Sequence, residues 1–252
     1  MSVLLLAACW VMITLGTLLG LRFMRSAMRS RDVLEWLMAS FFLGGVTLGF
    51  GLLLLVASVP DAPAEIHLLW RTISFGAMQA PAVSIALFTW LVFRPADGWA
   101  RWLAMALVFT IALHALGVLS PAILGVGTLR QDATMPFYWL GSAVRAACFV
   151  WACGESLRYF GLSRRRCALG LVDPLVTNRF LLWAIWSGSA TVVLALRVSS
   201  RVWIDPASPD PALVQALIIS QLVAGVACFG AVWLTFAPPA LYRRLVGGPQ
   251  PA

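Results

Sequence analysis

Five polar side chains sit where an apolar sequence can least accommodate them. Arg71, His114, Arg145, Arg197 and Gln221 each fall inside a long hydrophobic stretch. Charge at mid-bilayer costs at least about 2.5–3.5 kcal/mol, so such residues usually face a bundle interior or a water-filled cavity. Arg145 is the sharpest case. It lies about eight residues into its stretch, near 12 Å at helical rise, too deep for its guanidinium to reach the interface easily. Arg71, His114 and Arg197 belong to the outer parts of theirs, and Gln221 reaches a depth similar to that of Arg145. Brought together, the five would form an outward-facing pocket for an anion, because a guanidinium pairs well with a carboxylate, a phosphate or a lipid headgroup. The competing reading has Arg71 and Arg197 snorkelling to the outer interface while Arg145 bonds to helix carbonyls. Asp61, Glu65, Asp132, Asp205 and Asp210, near the ends of the same stretches, are available to neutralise the cluster.

The elements that must position these residues are set by composition. The chain has 252 residues, of which 61% are hydrophobic and 11% charged. A soluble domain carries about a quarter charged residues, so most of this surface must face lipid. Twelve Trp fit the same reading, since indole favours the membrane interface. A helix needs about 20 apolar residues to cross the hydrocarbon core. Seven stretches qualify, at 3–21, 33–57, 67–93, 102–119, 137–157, 180–200 and 213–236. The expected fold is therefore all-α, a single seven-transmembrane-helix bundle over 1–252. Helix-start chemistry agrees. Asp210-Pro211 and Asp173-Pro174 each place an N-cap before a proline at the first helical position. Pro136 opens the fifth span, with Thr134 or Met135 at the cap. Asp97 precedes the fourth, and Ser30 or Asp32 the second.

All eighteen basic residues are Arg, which excludes a lysine Schiff base and with it a retinal protein. The loops and tail on one side of the spans hold Arg22, Arg25, Arg29, Arg31, Arg94, Arg101, Arg158, Arg164, Arg165, Arg166, Arg179, Arg243 and Arg244. Arg71, Arg130, Arg197 and Arg201 lie on the other. Thirteen against four orients the N-terminus outside and the C-terminus in the cytoplasm. The same distribution explains the net charge of +8 without nucleic acid as a partner. The protein expected is a multi-pass component of the cell inner (plasma) membrane.

Packing signals are small residues. Gly16-x-x-x-Gly20, Gly45-x-x-x-Gly49 and Ser187-Gly188-Ser189-Ala190 would let helix backbones approach inside the bundle. Pro81 should kink the third span, with Gln79 and Ser84 gathered at the kink. Glu155 and Arg158 are spaced as an i,i+3 pair, while Asp32 and Glu35 suit the first turn of the second span. No nucleophile–base pair, P-loop or zinc spacing is present. The five cysteines form no C-x-x-C pair, and His67 and His114 are too few for a histidine-rich metal hydrolase. The expectation is a non-enzyme without a cofactor.

Residues 161–179 read GLSRRRCALGLVDPLVTNR. Arg164, Arg165 and Arg166 before an apolar stretch suit the anionic inner leaflet or a docked partner. Ala168-Leu169-Gly170-Leu171-Val172-Asp173-Pro174, followed by Asn178-Arg179-Phe180-Leu181-Leu182-Trp183, resembles the fifth-loop region of bacterial seven-helix sensor modules that precede kinase or cyclase domains. The resemblance implies signal reception, with the output carried by a separate protein because no effector follows the seventh span. The leading expectation is a receptor or sensor that takes a small anion or lipid from the outer side. It would have membrane lipids around it and a cytoplasmic or membrane protein as partner. The alternatives are a small transporter or channel built on an Arg145-centred cavity, or an accessory subunit of a membrane complex.

Overall fold

The computed structural model describes residues 3–125, 136–203 and 210–247. Arg130, Asp132, Thr134, Met135 and Asp205 lie outside the described residues. Every regular element among the described residues is helical. They are α1 (Val3–Ser30), α2 (Val33–Ala39), a π-helical segment (Ser40–Phe50), α3 (Gly51–Ser58), α4 (Ala64–Ala77), α5 (Ala80–Phe93), α6 (Gly98–Ile123), α7 (Pro136–Ala168), α8 (Pro174–Trp203), α9 (Pro211–Phe236) and α10 (Ala240–Gly247). Six stretches are long and apolar enough to cross a membrane: Cys9–Ser30, Val33–Ser58, Ala64–Phe93, Gly98–Ile123, Pro174–Trp203 and Pro211–Phe236. That is the build of a multi-pass membrane protein. The 33-residue α7 is long enough but less apolar, because it carries Arg145, Glu155 and Arg158 among its aromatic residues.

The helices outrun the expected spans at one kind of place. Arg22, Arg25 and Arg29 are not in a loop, because α1 continues as helix to Ser30. Nothing between Arg22 and Ser30 breaks a helix, and Arg, Met and Ala are good helix formers. The turn to α2 is only two residues long. Arg31 takes a left-handed conformation (φ 56°) and Asp32 caps α2 by accepting from the Leu34 N–H at 2.9 Å. Glu35 closes the turn by accepting from Ser26 and Ser30, both at 2.6 Å. In the same way α7 carries Arg158 and Arg164–Arg166 to Ala168. It stops where Gly170 adopts φ 71°, with the Leu171 N–H on the Arg166 carbonyl and the Gly170 N–H on the Cys167 carbonyl. That pairing is a Schellman cap, and glycine suits it because it has no Cβ.

The chain divides into two compact units, Met1–Cys148 and Phe149–Ala252. In the first, small residues set the helix spacing. A Cβ on Gly16 would meet Val46, and one on Gly20 would meet Leu43 and Phe42, so α1 lies directly against the π-helical segment. On another side of that segment, Gly44, Gly45 and Gly49 lie against Ala80, Pro81 and Met78. Both Gly-x-x-x-Gly motifs are therefore used in packing within the unit. The π geometry was not expected. Its wider turns put the Thr47 hydroxyl on the Phe42 carbonyl five residues back (3.3 Å) and on Thr17 of α1 (2.8 Å). The expected kink is a two-residue interruption: α4 ends at Ala77 and α5 starts at Ala80 with Pro81 in its first turn, while Met78 and Gln79 keep right-handed helical backbone angles. The Ser74 hydroxyl donates to the Gly49 carbonyl at 2.6 Å and ties the break to the π-helical segment. Gly45→Val is expected to cost about 1–3 kcal/mol by forcing the segment off Pro81. A thermal unfolding midpoint equal to wild type would count against that packing.

In the second unit α8 and α9 form an antiparallel pair. Trp183 meets Trp186 edge-on at 4.7 Å between centroids and Phe236 at 5.8 Å. Phe149 and Cys153 of α7 reach Trp186 and the Ala184 carbonyl, and Gly188 leaves room for the Cys153 sulfur. Glu155 pairs with Arg158 at 3.3 Å, as their spacing suggests. Asn178 donates to the Tyr242 hydroxyl and holds α10 against α8. Asp173 and Asp210 cap α8 and α9 through the Leu175 and Ala212 N–H groups, at 2.7 and 2.9 Å. Losing such a cap costs about 1 kcal/mol. Asp210→Ala is accordingly expected to lower the unfolding midpoint measurably in nanodiscs, with Asp210→Asn close to wild type.

Candidate functional site

The site is built on α6, α7 and the break between α4 and α5. Gly117 and Gly141 let α6 and α7 come together. A Cβ on Gly117 would collide with the Phe137 ring, and one on Gly141 would collide with the His114 imidazole. The ring therefore fills the space above Gly141, and His114 is only 2% exposed. Arg145 is one turn beyond Gly141, so it emerges beside the same ring. Its Nη1 donates to Gln79 Oε1 at 3.3 Å and lies 3.4 Å from His114 Nε2. Gln79 is the residue from which α5 starts, and it is oriented by donating its own amide to the Phe75 carbonyl at 2.8 Å. Phe75 packs against the imidazole at 5.5 Å between centroids.

These contacts decide the state of the histidine. A guanidinium only donates, so Nε2 accepts and the ring proton sits on Nδ1. That nitrogen is buried and, among the described residues, has no hydrogen-bond partner of good geometry, although the Phe137 backbone is a polar group near the ring. The Arg145 cation thus has two neutral acceptors among its contacts, both at long distance, beside the break where the positive end of the α5 dipole also lies. Such an arrangement can take up an anion by exchanging one neutral contact for a charged one.

Of the five residues singled out from sequence, the first unit brings His114 and Arg145 together. Arg71 is exposed on α4, and its side chain makes no hydrogen bond or ion pair among the described residues. Arg197 and Gln221 belong to the second unit, exposed on α8 and half-buried on α9. Gln79, Phe75 and Gly141 complete the arrangement and were not among the five. Gln79 had a signal, since it stands two residues before a proline inside an apolar span. Gly141 had one too, a small residue one turn before an arginine inside an apolar stretch. His67, in the first turn of α4, bonds the Val59 carbonyl at the end of α3 at 2.8 Å. Arg164, Arg165 and Arg166 are exposed on the last turns of α7, where positive charge suits the helix C-terminus. No group of His, Cys, Asp and Glu among the described residues has the arrangement to hold a metal ion.

Comparison with protein-family models, with curated proteins and with solved structures returns no match for this chain. The functional reading therefore rests on the site itself.

Proposed function

We propose that this protein is a receptor or sensor of the inner (plasma) membrane that binds a small anion, carboxylate or phosphate in type, from the outer side at Gln79, His114 and Arg145. In this reading α7 is a seventh span, the N-terminus is outside and the C-terminus is cytoplasmic. The thirteen-to-four distribution of Arg supports that orientation. The observation that carries the proposal is Arg145 held between Gln79 and His114 by contacts of 3.3 and 3.4 Å. An arginine at this depth is costly unless a cavity or a ligand uses it. Binding would shift the break between α4 and α5, to which Gln79 belongs, and the signal would leave through the basic helix ends on the cytoplasmic side to a protein partner.

A second reading is a small transporter. It is favoured by the same break, because transporter sites are commonly formed by discontinuous helices with a half-helix N-terminus facing an anion. One preparation tests both. Protein in zwitterionic nanodiscs is titrated with phosphate and with short carboxylates, and retained adducts are read by native mass spectrometry. One saturable adduct supports the site, and no adduct with any of these anions sinks it. In proteoliposomes, uptake of the anion that binds would replace the receptor reading with the transporter reading.

A further inference from the structure

His114 meets Arg145 through a lone pair. The guanidinium Nη1 lies 3.4 Å from Nε2 and can only donate, so Nε2 is bare and the ring is neutral. The ring is buried, with Phe75 of α4 packed on it and Gly141 of α7 beside it. Few ionisable groups come with the helices around it. On α7 they are Tyr138, Arg145 and, three residues on, the buried Cys148 thiol. On α4, Arg71 is one turn before Phe75 and exposed, while Glu65 and His67 belong to the first turn. α5 has none, and α6 adds only Arg101 in its own first turn. The charge that acts on the ring is that of Arg145.

An anion that takes the ring's place on Arg145 faces that lone pair. Two acceptors then oppose each other in a buried place, where an unpaired polar group is costly. A proton on Nε2 removes the conflict, because the nitrogen becomes a donor. Nδ1 already holds a proton, so the added one has a single place to go. Charge acts in the same direction. An imidazolium beside Arg145 alone is repelled, whereas an anion shared by the two attracts both. We infer that the anion site, on the reading proposed above, takes up one proton on His114 Nε2 with each anion it binds, so that its ligand is an anion together with a proton. The coupling is reciprocal: the proton tightens the anion by the factor by which the anion tightens the proton. A neutral ring could turn a donor to the anion only by shifting its proton from Nδ1 to Nε2. That shift leaves Nδ1 bare and buried. It also gives a neutral hydrogen bond where the imidazolium gives a charge-assisted one of roughly twice the strength.

The test is isothermal titration calorimetry of the full chain in zwitterionic nanodiscs, with acetate and with sulfate, both fully ionised above about pH 6. Each titration is run in two buffers of different ionisation enthalpy, and the difference in heat counts the protons exchanged. Wild type is expected to take up close to one proton per anion. Its affinity at about pH 6 should exceed that at about pH 8 by at least tenfold, one linked proton allowing no more than about tenfold per pH unit. His67→Gln should keep both results. His114→Gln, whose amide donates without ionising, should bind with no proton uptake and equally at the two pH values. Binding to wild type with no proton uptake would mean that the neutral ring shifts its proton instead, which overturns the coupling and leaves the anion site standing. Uptake lost in His67→Gln, or persisting in His114→Gln, would put the proton elsewhere and overturn it as well. Where His114→Gln fails to fold, the wild-type proton count and His67→Gln decide. No binding of either anion at either pH removes the anion site itself, and the coupling with it.

Discussion

Gly141→Leu is expected to expel the His114 imidazole from its place and to destabilise the protein by about 3 kcal/mol or more. The ring already occupies the space a Cβ would need at position 141. Overpacking of this kind typically costs about 1–3 kcal/mol. Here it also breaks the contact between His114 and Arg145, leaving buried polar groups without partners at about 1–3 kcal/mol each. Gly154 on the same helix is the control. Nothing lies within 4 Å of a Cβ placed there, so Gly154→Ala should be neutral or stabilising through helix propensity alone. Unfolding midpoints of the two variants in nanodiscs decide the matter. Equal midpoints would mean that α6 and α7 are not packed through this imidazole.

Arg145→Leu should separate binding from stability. A hydrogen bond to a charged group contributes about 1.5–3 kcal/mol. At about 1.4 kcal/mol per decade, anion affinity should fall roughly 10- to 150-fold. Stability should change little, since removing a charge from the apolar span offsets the cost of leaving the Gln79 and His114 acceptors unpaired. Arg145→Lys keeps the charge but loses the flat fork of donors, so intermediate affinity is expected. Undiminished anion binding in Arg145→Leu, measured by the adduct titration, would move the site elsewhere. A large loss of stability would recast Arg145 as a structural strut between Gln79 and His114.

Much of the architecture was legible because bilayer physics is one-dimensional. Length and apolarity alone mark six of the seven expected spans, and Asp-Pro pairs mark the starts of α8 and α9 as the structure has them. Local spacing was equally readable where the partner is on the same helix, as with Glu155 and Arg158. Reading failed where an outcome depends on two helices at once. The basic ends of α1 and α7 read as loops because charge was taken to end a span. It ends only the apolar part, and the backbone stays helical through Arg22–Ser30 and Arg158–Ala168. The π-helical turns of Ser40–Phe50 depend on how Gly44, Gly45 and Gly49 meet Ala80, Pro81 and Met78, and no single-helix periodicity records that meeting.

The candidate site divides along the same line. By itself the sequence determined that the chain is an apolar, helical, multi-pass protein, that Arg145 sits deep in its stretch and His114 in the outer part of another, and that a kink belongs at Pro81 with Gln79 beside it. Those follow from residue type and from distance along a helix. Only the tertiary structure decided that Arg145 faces Gln79 and His114, that Gly141 makes room for the imidazole, and that Arg71 is exposed. The rotation of each helix about its axis sets those relations. That rotation is fixed by which small residues allow which neighbour to approach.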